Sequence, residues 1–177
     1  MKDNKIITYL SELYRWNKKI NLTSVQEKDA IEVLVKPSIG MVEFIPEKGR
    51  VLDVGSGGGI PGIVLALNLL GCEFVLVESD GKKSSFLTHV AGMLKLKNVR
   101  VVRERAEKLA ASGEYAGSAD VVVSRAVKRE GVLAVSAGLL KPGGRVVLHR
   151  SSKPFKADPR FEPAGHNEFA DCFRLVG

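Results

Sequence analysis

Asp53-Val54-Gly55-Ser56-Gly57-Gly58-Gly59-Ile60-Pro61-Gly62 is the stretch on which the fold turns. It follows a short apolar run, Val51 to Val54, and precedes a helix-like segment, Ile63 to Leu70. Glycines in such a turn permit left-handed backbone and let a ligand approach the main chain closely. The helix behind them presents free N–H groups and the positive end of its dipole. In an open α/β sheet this first turn borders the ligand-binding crevice.

Outward from that turn, strand-like and helix-like segments alternate. Phe74 to Glu78, Val99 to Val102, Val121 to Val123 and Arg145 to Leu148 read as further strands. Lys82 to Lys95 reads as a helix with Phe86, Leu87, Val90, Met93 and Leu94 on one face. Ala106 to Ala111 and Val132 to Leu140 are the other helices, the last stopped by Lys141-Pro142-Gly143-Gly144. This alternation implies right-handed βαβ crossovers and a mostly parallel central sheet with helices on both faces. Nearly continuous apolar strands fit a sheet covered on both sides.

The flanks differ. Residues 1–49 lack strand runs and are expected to form an N-terminal helical extension, leaving residues 50–177 as the main domain. Ile6, Ile7, Leu10, Leu13 and Tyr14 follow helical spacing, and a second helix is expected from Asp29 to Phe44, started, kinked or divided by Pro37. Residues 151–168, with Pro154, Pro159, Pro163 and Gly165, read as loop, and Phe169 to Val176 as one terminal strand.

The chain has 177 residues, enough for one substantial core, and 45% are apolar. Lysine and arginine number 27 against 20 acidic residues, a net charge of +7 that suits a polyanionic partner. Cys72 and Cys172 lie too far apart in sequence for a metal knuckle or a redox pair, and His89, His149 and His166 form no metal-ligand spacing. Met1 to Lys5 leads into mixed polar sequence without a signal-peptide core, and the apolar stretch from Ile60 to Leu70 is too short to span a bilayer. The expected setting is cytoplasmic, without membrane or metal, and the expected form is a monomer.

Two glycine patterns overlap in the turn. Gly57, Gly59 and Gly62 fit GxGxxG, a weak dinucleotide signal. Asp53, Gly55, Gly57 and Gly59 fit DxGxGxG, which resembles the first motif of class I S-adenosylmethionine-dependent methyltransferases. The carboxylate favours the second reading: it would repel a pyrophosphate on that turn and suits a ligand with ammonium and sulfonium groups. Glu78, at the end of the second strand, can accept both hydrogen bonds of a ribose diol, with Asp80 as its competitor.

Further segments resemble one family. Trp16-Asn17-Lys18-Lys19-Ile20-Asn21-Leu22-Thr23-Ser24 resembles its WNxxxNLTS signature. Asp53 to Ile63 resembles its cofactor loop, and Glu78-Ser79-Asp80-Gly81-Lys82-Lys83 with Phe86-Leu87 its acidic-Ser-x-x-Lys-Lys/Arg-x-x-Phe-Leu segment. Arg105-Ala106-Glu107 and Ser124-Arg125-Ala126 look like its RAE and SRA motifs. This is the bacterial small-subunit ribosomal RNA methyltransferase G family, or glucose-inhibited division protein B, of Rossmann-like class I fold. The resemblance implies methylation of guanine N7 in 16S ribosomal RNA, S-adenosylmethionine as cofactor, and 16S RNA or the small ribosomal subunit as partner. It implies cofactor contacts at Gly55, Ile60, Glu78, Ala106, Glu107 and Arg125, beside Asp53, Gly57 and Gly59 of the glycine motif.

The chain departs from the family at three places. Lys36-Pro37-Ser38-Ile39-Gly40-Met41 stands where the family carries Arg-His followed by Asp-Ser, Arg150-Ser151 replaces Lys-Gly, and the region after the fifth strand is shorter. These leave open a methyltransferase on another substrate, or an RNA- or ribosome-binding module that keeps the fold without catalysis.

Guanine N7 carries a lone pair and no proton, so its methylation calls for alignment and exclusion of water rather than a general base. Arg125 is the candidate catalytic cation, for guanine O6 or a phosphate. No cysteine nucleophile near a cleft motif and no Asn/Asp-Pro-Pro-Tyr/Phe segment are present, against carbon-5 pyrimidine and exocyclic-amine methylation. Residues 50–150 hold 15 basic and 9 acidic side chains, so the positive excess lies in the core. Lys82, Lys83, Arg103, Arg105, Lys128, Arg129 and Arg150 follow strands and are expected to form an RNA-facing rim with Arg125. Trp16 reads either as a packing anchor or as a stacking platform, and His149, ending the fifth strand, could face the cleft.

Overall fold

The computed structural model describes residues 2–125, 127–152, 155, 156 and 158–176, and the side chains from Asn4 onward; Ala126 of the SRA motif and Pro154 lie outside the described residues. Seven strands build one sheet: β1 (Gly49–Val54), β2 (Cys72–Val77), β3 (Val99–Val102), β4 (Ala119–Ser124), β5 (Leu140–His149), β6 (Phe161–His166) and β7 (Ala170–Leu175). Their order is β3-β2-β1-β4-β5-β7-β6. The first five are parallel, and β7 enters antiparallel between β5 and β6. Helices α3 (Gly62–Asn68), α4 (Gly81–Met93), α5 (Ala106–Ala110) and α6 (Arg129–Leu139) make the crossovers. The strand order reverses between β1 and β4, which are hydrogen-bonded through Val51 and Val121, Leu52 and Val122, and Asp53 and Val123. The crevice beyond their carboxyl ends is therefore the topological switch point of the sheet.

Valine dominates the central strands because each residue meets helices or strands on both faces. Leu52, Val75, Val122 and Val146 pack with α6 on one face, while Leu76 packs on the other with Ile63, Phe86 and Leu87. The N-terminal helix α1 (Lys2–Asn17) buries Ile6, Tyr9, Leu10 and Leu13 in that second cluster. Residues 1–49 thus share a core with α3 and α4. Trp16 is a packing anchor, its ring centroid 5.6 Å from Phe86 and 5.3 Å from His89, whose imidazole bonds Glu12 at 2.8 Å.

Three expectations need correction. The helix expected from Asp29 to Phe44, divided by Pro37, is a run of four short pieces rather than two: a 3-10 turn (Glu27–Asp29), a π-helical turn (Ile31–Val35), α2 (Lys36–Gly40) and a second 3-10 turn (Met41–Phe44). Pro37 sits in the first turn of α2, where its missing N–H is tolerated but the ladder behind it is interrupted. The Lys141-to-Gly144 stop lies inside β5, which already pairs at Leu140 with Ala119 and then bulges before Arg145 pairs with Val121. Gly143 makes that bulge at φ +73°. Residues 161–166 form β6 rather than loop: Pro163 is accommodated because the strand lies at the sheet edge.

The C-terminal hairpin docks on α2. Asn167 donates from Nδ2 to the Gly40 carbonyl at 2.8 Å, and a Cβ at Gly40 would lie 2.3 Å from Cδ2 of Phe169. Gly40, having no side chain, leaves room for that ring.

Candidate active site

The glycine turn is shaped by its own backbone. Gly55, Gly57 and Gly59 take φ of +72°, +53° and +88°, which a side chain would strain. Gly55 and Ser56 donate their N–H groups to the Val77 carbonyl at 3.0 and 3.1 Å, tying the turn to the end of β2. Glu78 follows there. Its Oε2 accepts the Gly57 N–H at 2.9 Å and its Oε1 the Asp80 N–H at 2.8 Å. Asp80 serves the next helix instead. Its Oδ1 accepts the N–H groups of Lys82 and Lys83 at 2.8 and 3.0 Å and caps α4. Those bonds hold its carboxyl below the usual range. Glu78, not Asp80, is the acid that lines the cavity.

That cavity, of about 530 Å³, is walled by the turn, Glu78, Lys83, Arg125 and Val127, and closed by residues 21–25 and Leu34. The WNxxxNLTS signature explains the closing wall. Asn17 Oδ1 accepts the N–H groups of Leu22 and Thr23 at 2.8 and 3.0 Å, while its Nδ2 donates to the Thr23 carbonyl at 2.9 Å. From the middle of α1, the buried Tyr9 hydroxyl donates to the Gly58 carbonyl at 2.6 Å. Sequence reasoning singled out the signature without assigning Asn17 this role and missed Tyr9, whose partner lies 49 residues away. Asn17→Ala should orphan two N–H groups, lower stability by about 1–3 kcal/mol and weaken any ligand of this cavity. Urea unfolding of the variant with an unchanged midpoint would contradict that assignment.

Other expected cofactor residues fall elsewhere. Asp53 does not reach the cavity: it is fully buried beneath the turn, its Oδ2 accepting the Gly62 N–H at 3.1 Å. Oδ1 has no hydrogen-bond partner among the described residues. Burial pushes this carboxyl up to about 7, against the lowering by the Gly62 and Ser56 hydrogen bonds. Gly62 is a packing glycine, since a Cβ there would lie 2.4 Å from Asp53 Oδ2 and from Leu76 Cδ2. Gly59 is buried against Ile63 and Leu87, whereas Gly55, Gly57 and Ile60 line the cavity. Ala106 and Glu107 begin α5, beside a separate depression formed by Ser79, Asp80, Arg103, Glu104, Arg105 and Lys108.

Arg125 stands at the wall between this cavity and a second, of about 890 Å³, which is built mainly from the ends of β4 and β5 and the start of α6. Its Nη1 is buried with no hydrogen-bond partner among the described residues. Burial pulls the guanidinium below its ordinary pKa. His149 lines the second cavity, and burial and the neighbouring Arg125 lower its imidazole pKa, which favours the neutral ring. Guanidinium and imidazole thus present a cationic donor and a neutral ring in one wall.

The expected basic rim divides. Lys82, Arg105 and Lys128 are exposed, and Lys83 is half-buried at the first cavity. Arg129 is a packing residue rather than a free cation: only 12% of its side chain is exposed, it pairs with Asp171, and its guanidinium lies 4.4 Å above the Phe155 ring. Arg150 donates to the Asn167 carbonyl at 2.6 Å and keeps 45% of its side chain exposed. Among the described residues no helix is long and apolar enough to cross a membrane.

The doubly wound sheet with an antiparallel seventh strand, and a glycine turn facing an acid just past the end of β2, define a class I methyltransferase fold. A SAM-dependent methyltransferase from Aquifex aeolicus superimposes with a TM-score of 0.64 at 13% identity, over 95% of this chain and 98% of that one. The chain belongs to the rRNA small subunit methyltransferase G family, whose model matches residues 2–158. Ribosomal RNA small subunit methyltransferase G of Stenotrophomonas maltophilia (strain K279a) is 35% identical over 151 residues, 84% of this chain and 69% of that protein. Its counterpart in Stutzerimonas stutzeri (strain A1501) is 43% identical over 114 residues, 63% of this chain and 53% of that protein.

Proposed function

We propose that this protein transfers a methyl group from S-adenosylmethionine to N7 of a guanine in small-subunit ribosomal RNA. The family match across residues 2–158 carries this reading, and the two adjoining cavities support it. The first cavity fits the cofactor: its glycine turn brings bare backbone to the wall, and Glu78 retains acceptor capacity beyond its two backbone bonds for a ribose diol. Bound there, S-adenosylmethionine supplies an electrophilic methyl on a sulfonium. Gly55, Gly57 and Ile60 border that ligand, and the wall of residues 21–25 keeps water from it. Asp53 holds the turn from beneath, through the Gly62 N–H, rather than by contact with the ligand. Ala106 and Glu107 take no part in the cavity wall, so any contact they make is at the outer edge of the adenine.

The second cavity takes the acceptor base. Arg125, common to both walls, donates to guanine O6 and leaves N7, which carries no proton, turned toward the methyl donor. No residue has to remove a proton. The protein's contribution is alignment and dryness, and proximity of this kind supplies about 7–11 kcal/mol in favourable cases. Mass-spectrometric nucleoside analysis of ribosomal RNA from cells with and without the gene tests this reading; 7-methylguanosine unchanged at every position would overturn it.

Lys82, Lys83, Arg105, Lys128 and Arg150 form the RNA-facing rim. RNA affinity should fall steeply with salt, and Lys128→Ala should reduce the log–log slope by about 1 with the melting temperature unchanged. Arg129→Ala should instead lower the melting temperature, because it removes the Asp171 pair and the Phe155 stack. Salt titrations in which the two variants behave alike would dissolve the distinction. The protein is proposed to act as a monomer in the cytoplasm, without metal.

A further inference from the structure

The second cavity is lined by Arg125, Lys128 and Arg150, as expected beside RNA, and by Arg129, which is paired with Asp171. It is also lined by a carboxylate, Glu130, the one acid among its described lining residues. An acid in a wall that receives a polyanion is unfavourable unless it meets a donor on the ligand. Glu130 sits in the first turn of α6, where the helix dipole favours its charge, and its Oε1 accepts the Lys156 N–H at 3.2 Å. Those backbone contacts hold its carboxyl below the ordinary range, so it is an acceptor at neutral pH. A carboxylate offers about four acceptor positions, which leaves most of them for a ligand.

We propose that Glu130 reads the Watson–Crick edge of the target guanine, accepting hydrogen bonds from N1–H and the N2 amine, and so selects guanine from the other bases. This rests on the methyltransferase reading above. Arg125 lines both cavities and would take O6 and N7 at the shared wall; Glu130, an exposed side chain that lines only the second, would then meet N1 and N2. Adenine fits neither pole. Its N6 amine would face the donor-only guanidinium of Arg125, and its N1 lone pair would face the carboxylate.

The test uses the full chain and a small-subunit ribosomal RNA fragment assembled by ligation, with guanine or inosine at the methylated position. Inosine keeps O6, N7 and N1–H but lacks the N2 amine. The wild-type protein should prefer guanine by at least about tenfold in kcat/KM, the worth of one hydrogen bond to a charged group. Glu130→Ala should abolish that preference while still methylating inosine RNA, and Glu130→Gln should retain part of it. A guanine-to-inosine ratio equal in wild type and in either folded variant would overturn the proposal. A wild-type protein that methylates N7 of neither RNA would instead overturn the underlying reading, and this one with it.

Discussion

Replacing Glu78 with alanine should weaken S-adenosylmethionine by about a hundredfold or more while the protein stays folded. The carboxylate is 8% exposed and already holds the Gly57 and Asp80 N–H groups. Its loss removes the acceptor for the ribose diol and also releases Gly57, so the turn loses its fixed distance from the end of β2. Hydrogen bonds to a charged group contribute about 1.5–3 kcal/mol each, and two of them account for the expected change. Glu78→Gln should fall between, since the amide oxygen can keep the Gly57 bond while the amino group offers no acceptor. Isothermal calorimetry on the folded alanine variant is the check; an affinity within threefold of wild type would remove Glu78 from the site.

The second large effect concerns pH. Asp53 has an ordinary carboxyl pKa of 3.8, raised to about 7 in the folded protein chiefly by burial. Between those values the folded state keeps the proton that the unfolded chain releases. The unfolded state then binds fewer protons, so Asp53 makes stability fall as pH rises from about 4 to 7, and its effect levels off above that. Three pKa units correspond to about 4 kcal/mol. Asp53→Asn keeps an acceptor for the Gly62 N–H and removes the titration. The stability difference between variant and wild type should therefore swing in the variant's favour by a few kcal/mol across that window. Taking the difference cancels the other carboxyls, several of which shift the opposite way. Denaturation midpoints that keep a constant separation from pH 4 to 7.5 would refute it.

The parts of the fold legible in the sequence are those made by neighbours in the chain. Val51 to Val54, the glycines behind them and Glu78 announce themselves because a strand, a tight turn and a helix start each have local chemistry. The choice of Glu78 over Asp80 could be read as well, since an aspartate ahead of Gly81-Lys82-Lys83 has the form of a helix cap. What resisted reading depends on contacts between distant segments. Pro163 and Gly165 disguise β6, because nothing nearby says that the strand will lie at an edge. Arg129 looks like one more rim cation until Phe155 and Asp171 arrive to bury it. Asp53 carries the right residue type for a ligand, but its direction is set by Gly62, nine residues on, whose lack of a side chain draws the carboxylate inward. Tyr9 belongs to the same class: the helical spacing of Ile6, Ile7, Leu10, Leu13 and Tyr14 passes it over, and its partner Gly58 lies 49 residues away.

The seating of Phe169 against Gly40 ties together two segments far apart in the chain. A side chain at position 40 would meet that ring, since even a Cβ would lie 2.3 Å from it. The two positions are therefore interdependent: a larger residue at 40 requires the ring at 169 to move or to shrink, and the pair should behave as one unit when either is changed.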